Sequence, residues 1–177
     1  MPQRPFKRRP KQAESFVPIN PLRRNRPGQN ADPNPPMNSA AGSNANKTDW
    51  SRVADWYDNL VGDEGSEYHR HVVLPGVLRL MQVKPADKVL DVACGQGVLC
   101  RLLQAQGAVV TGVDAAAPLI QKARERTPSP EARFVVADAR ELDQAPTLAA
   151  GSFDSACCML AIQNIHPINK VDRKSVV

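Results

Sequence analysis

The chain predicts a doubly wound α/β fold built on a parallel sheet. From Lys88 onward, short and nearly continuous apolar runs alternate with segments of helical periodicity. Three of those runs finish in an acid, at Asp91, Asp114 and Asp138. A glycine turn, Gly95-Gln96-Gly97, joins the first run to the helix behind it. Strands covered on both faces read as apolar runs rather than as alternation, and strands that alternate with helices pair in parallel.

Order is expected from Thr48. Trp50, Val53, Tyr57 and Leu60 recur at helical spacing, which predicts a helix over 49–60, capped by Thr48 or Asp49. Gly62 to Gly65 break it, and a second helix follows to Met81, with Pro75 either opening or kinking it. Lys84–Asp87 reads as a turn and Lys88–Val92 as the first strand. Val98, Leu99, Leu102 and Leu103 form one helical face, and Gly107 stands where a terminating glycine belongs. Ala108–Val113 is the second strand and Pro118–Arg126 the next helix, with proline near its first position. Arg133–Ala137 and Phe153–Met159 supply two more strands, and no internal repeat is present.

Charge divides the chain. Residues 1–47 carry nine of the 23 basic side chains, nine of the 16 prolines and a net +7, whereas the remaining 130 residues carry −2. The tail is therefore expected to be disordered, because it holds too little apolar surface to offset the entropy of ordering. Its basic groups could touch phosphates, but apart from Phe6 and Phe16 it lacks aromatics for base stacking. A solvated extension is the plainer reading, and Met37 offers a second possible start. No apolar run approaches the roughly 20 residues of a membrane span, and no hydrophobic stretch follows the basic start. The four cysteines, Cys94, Cys100, Cys157 and Cys158, form no C-x-x-C pair, so a reduced, metal-free, cytoplasmic protein is expected.

Open parallel sheets bind ligands beyond the carboxyl ends of their strands. Gly95 and Gly97 remove side chains that would hold a ligand off the backbone. Asp114, closing Thr111-Gly112-Val113-Asp114, can accept two hydrogen bonds from a ribose diol. Asp138, closing Val135-Val136-Ala137-Asp138, is placed for an exocyclic amine. A glycine pair alone is a weak signal; with Asp91 before it and two strand-end acids after it, the signal is strong.

Over residues 49–165 these features resemble the class I S-adenosylmethionine-dependent methyltransferases. Val89–Gly97 looks like that family's first motif and Gly112-Val113-Asp114 like its second. Ala137–Ala139 and Ser152–Leu160 look like the third and fourth. The resemblance implies a Rossmann-like sheet, here incomplete and preceded by N-terminal helices, with S-adenosyl-L-methionine as cofactor. It places Asp91, Gly95 and Gly97 along the methionine end of the cofactor and Asp114 on the ribose hydroxyls. It sets Asp138 on the adenine amine, the Ala139 amide on a ring nitrogen and Met159 near the methionyl part. In the family a serine often stands two residues past the ribose acid; here it is Ala116, at the cost of a helix cap. The family sheet has seven strands in the order 3-2-1-4-5-7-6, of which four are present. The domain is read as 48–171, and Asp172–Val177 as a non-native end that resembles a translated sequencing adapter.

Neighbouring groups carry plainer readings. Asp91 could instead cap the next helix, and Asp114 and Asp138 could be ordinary strand-end polarity. Cys94 and Cys100 read as small turn and helix residues, Cys157 and Cys158 as packing in a central strand. Tyr57, Tyr68 or His69 could face the methyl group as part of a lid, although surface or packing roles suit them and His71 better. His166 follows the fourth strand in a loop beside Pro167. Three functions remain in view. The first is methyl transfer to an unidentified small-molecule acceptor, and the second a nicotinamide-dependent oxidoreductase. The third is a nucleic-acid-binding or RNA-modifying protein that works through its tail. The oxidoreductase fingerprint wants a third glycine where Cys100 stands, and Asp91 would face a diphosphate of like charge.

Overall fold

The computed structural model describes residues 50–145 and 147–171. The expected disordered tail, the candidate caps Thr48 and Asp49, Met37 and the segment 172–177 lie outside the described residues.

Four strands pair in parallel in the order β3-β2-β1-β4, with β1 at Lys88–Val92, β2 at Val109–Asp114, β3 at Ala132–Val136 and β4 at Ser155–Cys157. The predicted order 3-2-1-4 is the observed one. Lys88 opposes Val109 and Asp91 opposes Gly112, so β1 and β2 enter the sheet together. Turn 84–87 sets that entry: Asp87 accepts the Lys84 amide at 2.8 Å, and the Val109 amide donates to Asp87 at 2.9 Å.

β4 is shorter than the expected Phe153–Met159. It pairs with β1 over three residues and has no partner on its far side among the described residues. Its start is fixed by Asp154, whose carboxylate accepts the Lys88 amide at 2.7 Å. With one neighbour instead of two, Cys158 and Met159 have no ladder to join and leave the sheet.

The helices are α1 (Ala54–Val61), α2 (Leu74–Met81), α3 (Val98–Ala105) and α4 (Ala117–Arg126). α1 begins later than Trp50, and a π-helical turn, His69–Val73, runs straight into α2. Pro75 stands in the first turn of α2, two residues past that π-helical turn. Its missing N–H costs least in a first turn, and the wide turn before it relieves the ring's clash with the backbone. Gly107, at φ +89°, ends α3 as expected, its amide donating to Gln104 at 2.8 Å.

All four helices cover one sheet face, where Val61, Leu74, Leu99, Leu103 and Ile120 pack on Val89, Val110 and Phe134. Leu90, Val92 and Val113 on the other face meet Ala139, Leu142 and Leu148 from the chain after β3. An ion cluster pins α1 to α4. Buried Asp58 lies 2.9 Å from Arg126 and 3.4 Å from Lys122, which reaches Asp55 at 2.9 Å. No described helix is long and apolar enough to cross a membrane, and no described cluster of His, Cys, Asp and Glu would hold a metal ion.

Candidate functional site

A cavity of about 420 Å³ opens beyond the carboxyl ends of the strands. Its floor is Ala93, Gly95, Asp114 and Ala115 from the turns after β1 and β2. Ala137, Asp138, Ala139 and Arg140 form one side, and Trp50, Tyr57 and His69 from the N-terminal helices form another. The loop after β4, from Met159 to His166, supplies the remainder. Five of the seven predicted cofactor residues line this space: Gly95, Asp114, Asp138, Ala139 and Met159.

Asp114 ends β2 and is held by backbone alone. One carboxylate oxygen accepts the Gly95 amide at 2.9 Å and the other the Ala116 amide at 2.8 Å. The second bond does part of the work of the serine cap that Ala116 lacks. Burial raises the Asp114 pKa, and the two amides oppose that rise. The acid is thus fixed in one orientation, with lone pairs remaining for donors in the cavity.

Asp138 is fixed differently. One of its oxygens accepts the Arg140 amide at 3.0 Å and Arg140 Nε at 2.8 Å, and Arg140 Nη2 bonds the other. The same guanidinium donates to the His166 carbonyl at 3.0 Å, which ties the loop after β4 to the end of β3.

Asp91 and Gly97 stand behind the floor. Asp91 is 2% exposed, and its oxygens accept the thiols of Cys100 at 3.2 Å and Cys157 at 3.6 Å. Burial without a cationic partner pushes its pKa up to about 7. It does not cap α3, whose N-cap is Gly97 with no side-chain cap bond. Gly97 has φ +82°, and a Cβ there would lie 3.1 Å from Phe134 and 3.2 Å from Ala123. Its lack of a side chain lets α3 and α4 approach β3. Gly95 faces Tyr57, whose ring a Cβ would meet at 3.3 Å.

Cys94 and Cys100 share a thiol contact beside Gly112, and Cys157 is bonded to Asp91, so these cysteines are bound up with the floor of the site. The Cys94 contact and then burial raise the Cys100 pKa, and burial raises that of Cys157. At Cys94 the Cys100 contact lowers the pKa, but burial with Asp91 and Asp114 nearby outweighs it, so all three stay thiols.

Sequence reasoning missed Gln96 and Arg140. Gln96, between the two glycines, is 1% exposed; its amide donates to the Gly62 carbonyl at 2.5 Å, and Arg101 bonds both its side-chain and its backbone oxygen. This clamps the loop after α1 to the glycine turn. The only signal for Arg140 was its position two residues past a strand-end acid. Trp50 and Tyr57 meet edge to face, 5.5 Å between centroids, and form an aromatic wall. Tyr68 is exposed and does not line the cavity, and neither does His71.

Residues 89–174 match a family described as a methyltransferase domain. A ubiquinone biosynthesis O-methyltransferase of Xanthomonas campestris is 30% identical over 140 residues, 76% of this chain and 56% of that protein. A malonyl-[acyl-carrier protein] O-methyltransferase of Salmonella typhimurium is 30% identical over 107 residues, 58% of this chain and 40% of that protein. The chain thus spans about half the length of these curated relatives or less. The solved structure of YjhP from E. coli shares the fold, with a TM-score of 0.53 and 19% identity over 72% of this chain and 52% of that one.

Proposed function

This chain belongs to the class I S-adenosylmethionine-dependent methyltransferases, and from that premise we propose that it moves a methyl group from S-adenosyl-L-methionine to an oxygen of a small-molecule acceptor. The observation that carries the reading is Asp114, oriented by the Gly95 and Ala116 amides at the floor of the cavity. A carboxylate held in this way can take both hydroxyls of a ribose. In this reading Asp138 and the Ala139 amide receive the adenine, with Arg140 keeping the Asp138 carboxylate in place. Gly95 and Met159 flank the methionyl part. Asp91 and Gly97 act from beneath, by holding the turn that carries Gly95.

The cofactor supplies an activated methyl group on a cationic sulfur, so the protein's contribution is alignment and exclusion of water. Trp50 and Tyr57 close one side of the space and the loop after β4 closes another. Oxygen as the acceptor atom, and a small molecule as its bearer, are supported by the two O-methyltransferase relatives. A reducing, cytoplasmic setting belongs to the same reading, since four free thiols lie in and around the site. The nicotinamide alternative fares worse. Cys100, where the third glycine would be needed, is fully buried and bonded to Asp91.

The test is thermal unfolding with each ligand. S-adenosylhomocysteine at a hundredfold excess over its Kd should stabilise the protein by about 2.7 kcal/mol, and NAD should leave it unchanged. Stabilisation by NAD alone would reverse the assignment.

A further inference from the structure

Gln96 is buried between the two glycines of the turn after β1, where a long polar side chain is costly unless its polar atoms find partners. Both ends find one. Nε2 donates to the Gly62 carbonyl at 2.5 Å, and Oε1 accepts Arg101 Nη2 at 2.7 Å. Arg101 Nη1 also donates to the Gln96 carbonyl at 2.8 Å, and Nη2 to the Asp63 carbonyl at 2.7 Å. The side-chain amide can face only one way. A carbonyl only accepts and a guanidinium only donates, so Nε2 belongs on Gly62 and Oε1 on Arg101.

The same stretch of chain meets the glycine turn twice. Gly62 ends α1, its amide donating to the Asp58 carbonyl at 2.8 Å, and Tyr57 belongs to that helix. The Tyr57 ring lies against Gly95, where an added Cβ would meet it at 3.3 Å, while Gly62 lies against Gln96. Tyr57 and Gly95 line the cavity, and Gly62 and Gln96 do not. The back of the turn therefore sets how far α1 advances over its front. Arg101 stands in the first turn of α3, where the helix dipole disfavours a cation. Its side chain leans back toward the N-terminus and places its hydrogen bonds on Gln96 and Asp63, so the position serves this clamp and not the helix. The ion pairs of Asp58 with Lys122 and Arg126 anchor α1 a second time, on α4, and hold the helix docked without the clamp.

We propose that Gln96 is a positioning residue for the cofactor: through Gly62 it fixes the placement of α1 that sets Tyr57 on Gly95. This rests on the methyltransferase reading above. Gln96 lies behind the cavity floor and acts on the ligand only through Tyr57. A ligand resting on Gly95 and Tyr57 binds more tightly when α1 is held forward. By reciprocity, its arrival makes α1 harder to open. Asp58 keeps the helix on α4, and Gln96 sets its reach over the cavity.

The experiment uses the whole chain, with S-adenosylhomocysteine affinity read by calorimetry and backbone opening read by amide hydrogen exchange. Failure of the wild type to bind that ligand would remove the methyltransferase reading, and this proposal with it. Gln96→Met keeps the length of the side chain and removes both of its hydrogen bonds. Gln96→Glu keeps the acceptor for Arg101 and removes only the donor to Gly62, and it takes the place of the first variant if that one does not fold. In either variant, exchange over Ala54–Val61 should quicken while β1 and β2 keep the wild-type rate. Affinity should fall by about tenfold, the worth of one or two hydrogen bonds. Tyr57→Leu should weaken binding to a similar degree. The double variant should match Tyr57→Leu alone within about twofold, because the two residues act as one unit. Losses that multiply would make the Gln96 effect independent of Tyr57 and overturn the proposal. Wild-type affinity, or wild-type exchange over α1, in a folded Gln96 variant would overturn it equally.

Discussion

Asp91 lies two residues deeper in the sheet than Asp114: it opposes Gly112 of β2, while Asp114 opposes Val136 of β3 at the last rung. Asp91 is the penultimate residue of β1 and Asp114 the last of β2, and both point to the same side by strand alternation. One reaches the cavity and the other stops beneath it, among thiols. Their environments set different tests.

Asp114→Ala removes a carboxylate that faces the cavity and also frees the Gly95 and Ala116 amides. Affinity for S-adenosylhomocysteine should fall by about tenfold or more, because charge-assisted bonds contribute roughly 1.5–3 kcal/mol. Calorimetry giving wild-type affinity would take Asp114 out of the site.

Asp91 gives a pH signature instead. Its folded pKa stands at about 7 against 3.8 for the free side chain, so the folded state holds a proton that the unfolded state releases. Stability associated with this group is present below pH 3.8 and declines as pH rises to about 7. Asp91→Asn mimics the protonated acid. It should match the wild type below pH 3.8, draw ahead as pH rises and melt higher at pH 8, and a gap that does not vary with pH would contradict the assignment. The raised Asp114 pKa works in the same direction and the lowered His69 pKa in the opposite one, so the comparison between the two proteins isolates Asp91.

Gly97→Val tests packing rather than ligand approach. The new side chain meets Phe134 and Ala123 in a backbone conformation at φ +82° that branched residues avoid. Overpacking and backbone strain together should cost about 2–5 kcal/mol. Thermal melts followed by circular dichroism should show the loss without any ligand present. An unchanged melting temperature would mean that the turn has more room than these distances allow.

The open edge of β4 predicts association. Among the described residues β4 has no partner on its far side, and such an edge beside exposed Leu160 and Ile162 invites a second chain. Light scattering on size-exclusion fractions should show concentration-dependent oligomers of this chain, reduced by Ala156→Lys on the exposed position of that strand. A monodisperse monomer at high concentration would show that the edge is protected.

Local pattern was enough for β1, β2, β3 and the helices that follow β1 and β2, because strand and helix periodicities differ and each run is bounded by a glycine, a proline or an acid. The resemblance of its motifs supplied the strand order and five residues that line the cavity. Local pattern failed at β4, since strand length there depends on how many neighbours pair with it. Depth also escaped it. Two acids with the same local surroundings part company only when register sets one against Gly112 and the other at the rim. The contacts that complete the site span long separations, such as Gln96 to Gly62, Arg140 to His166 and Tyr57 to Gly95. Periodicity carries no information about which distant segments meet. The sequence therefore determined which strand ends carry the acids and the glycine turn, and only the packing of the N-terminal helices over those ends decided which side chains close the cavity there.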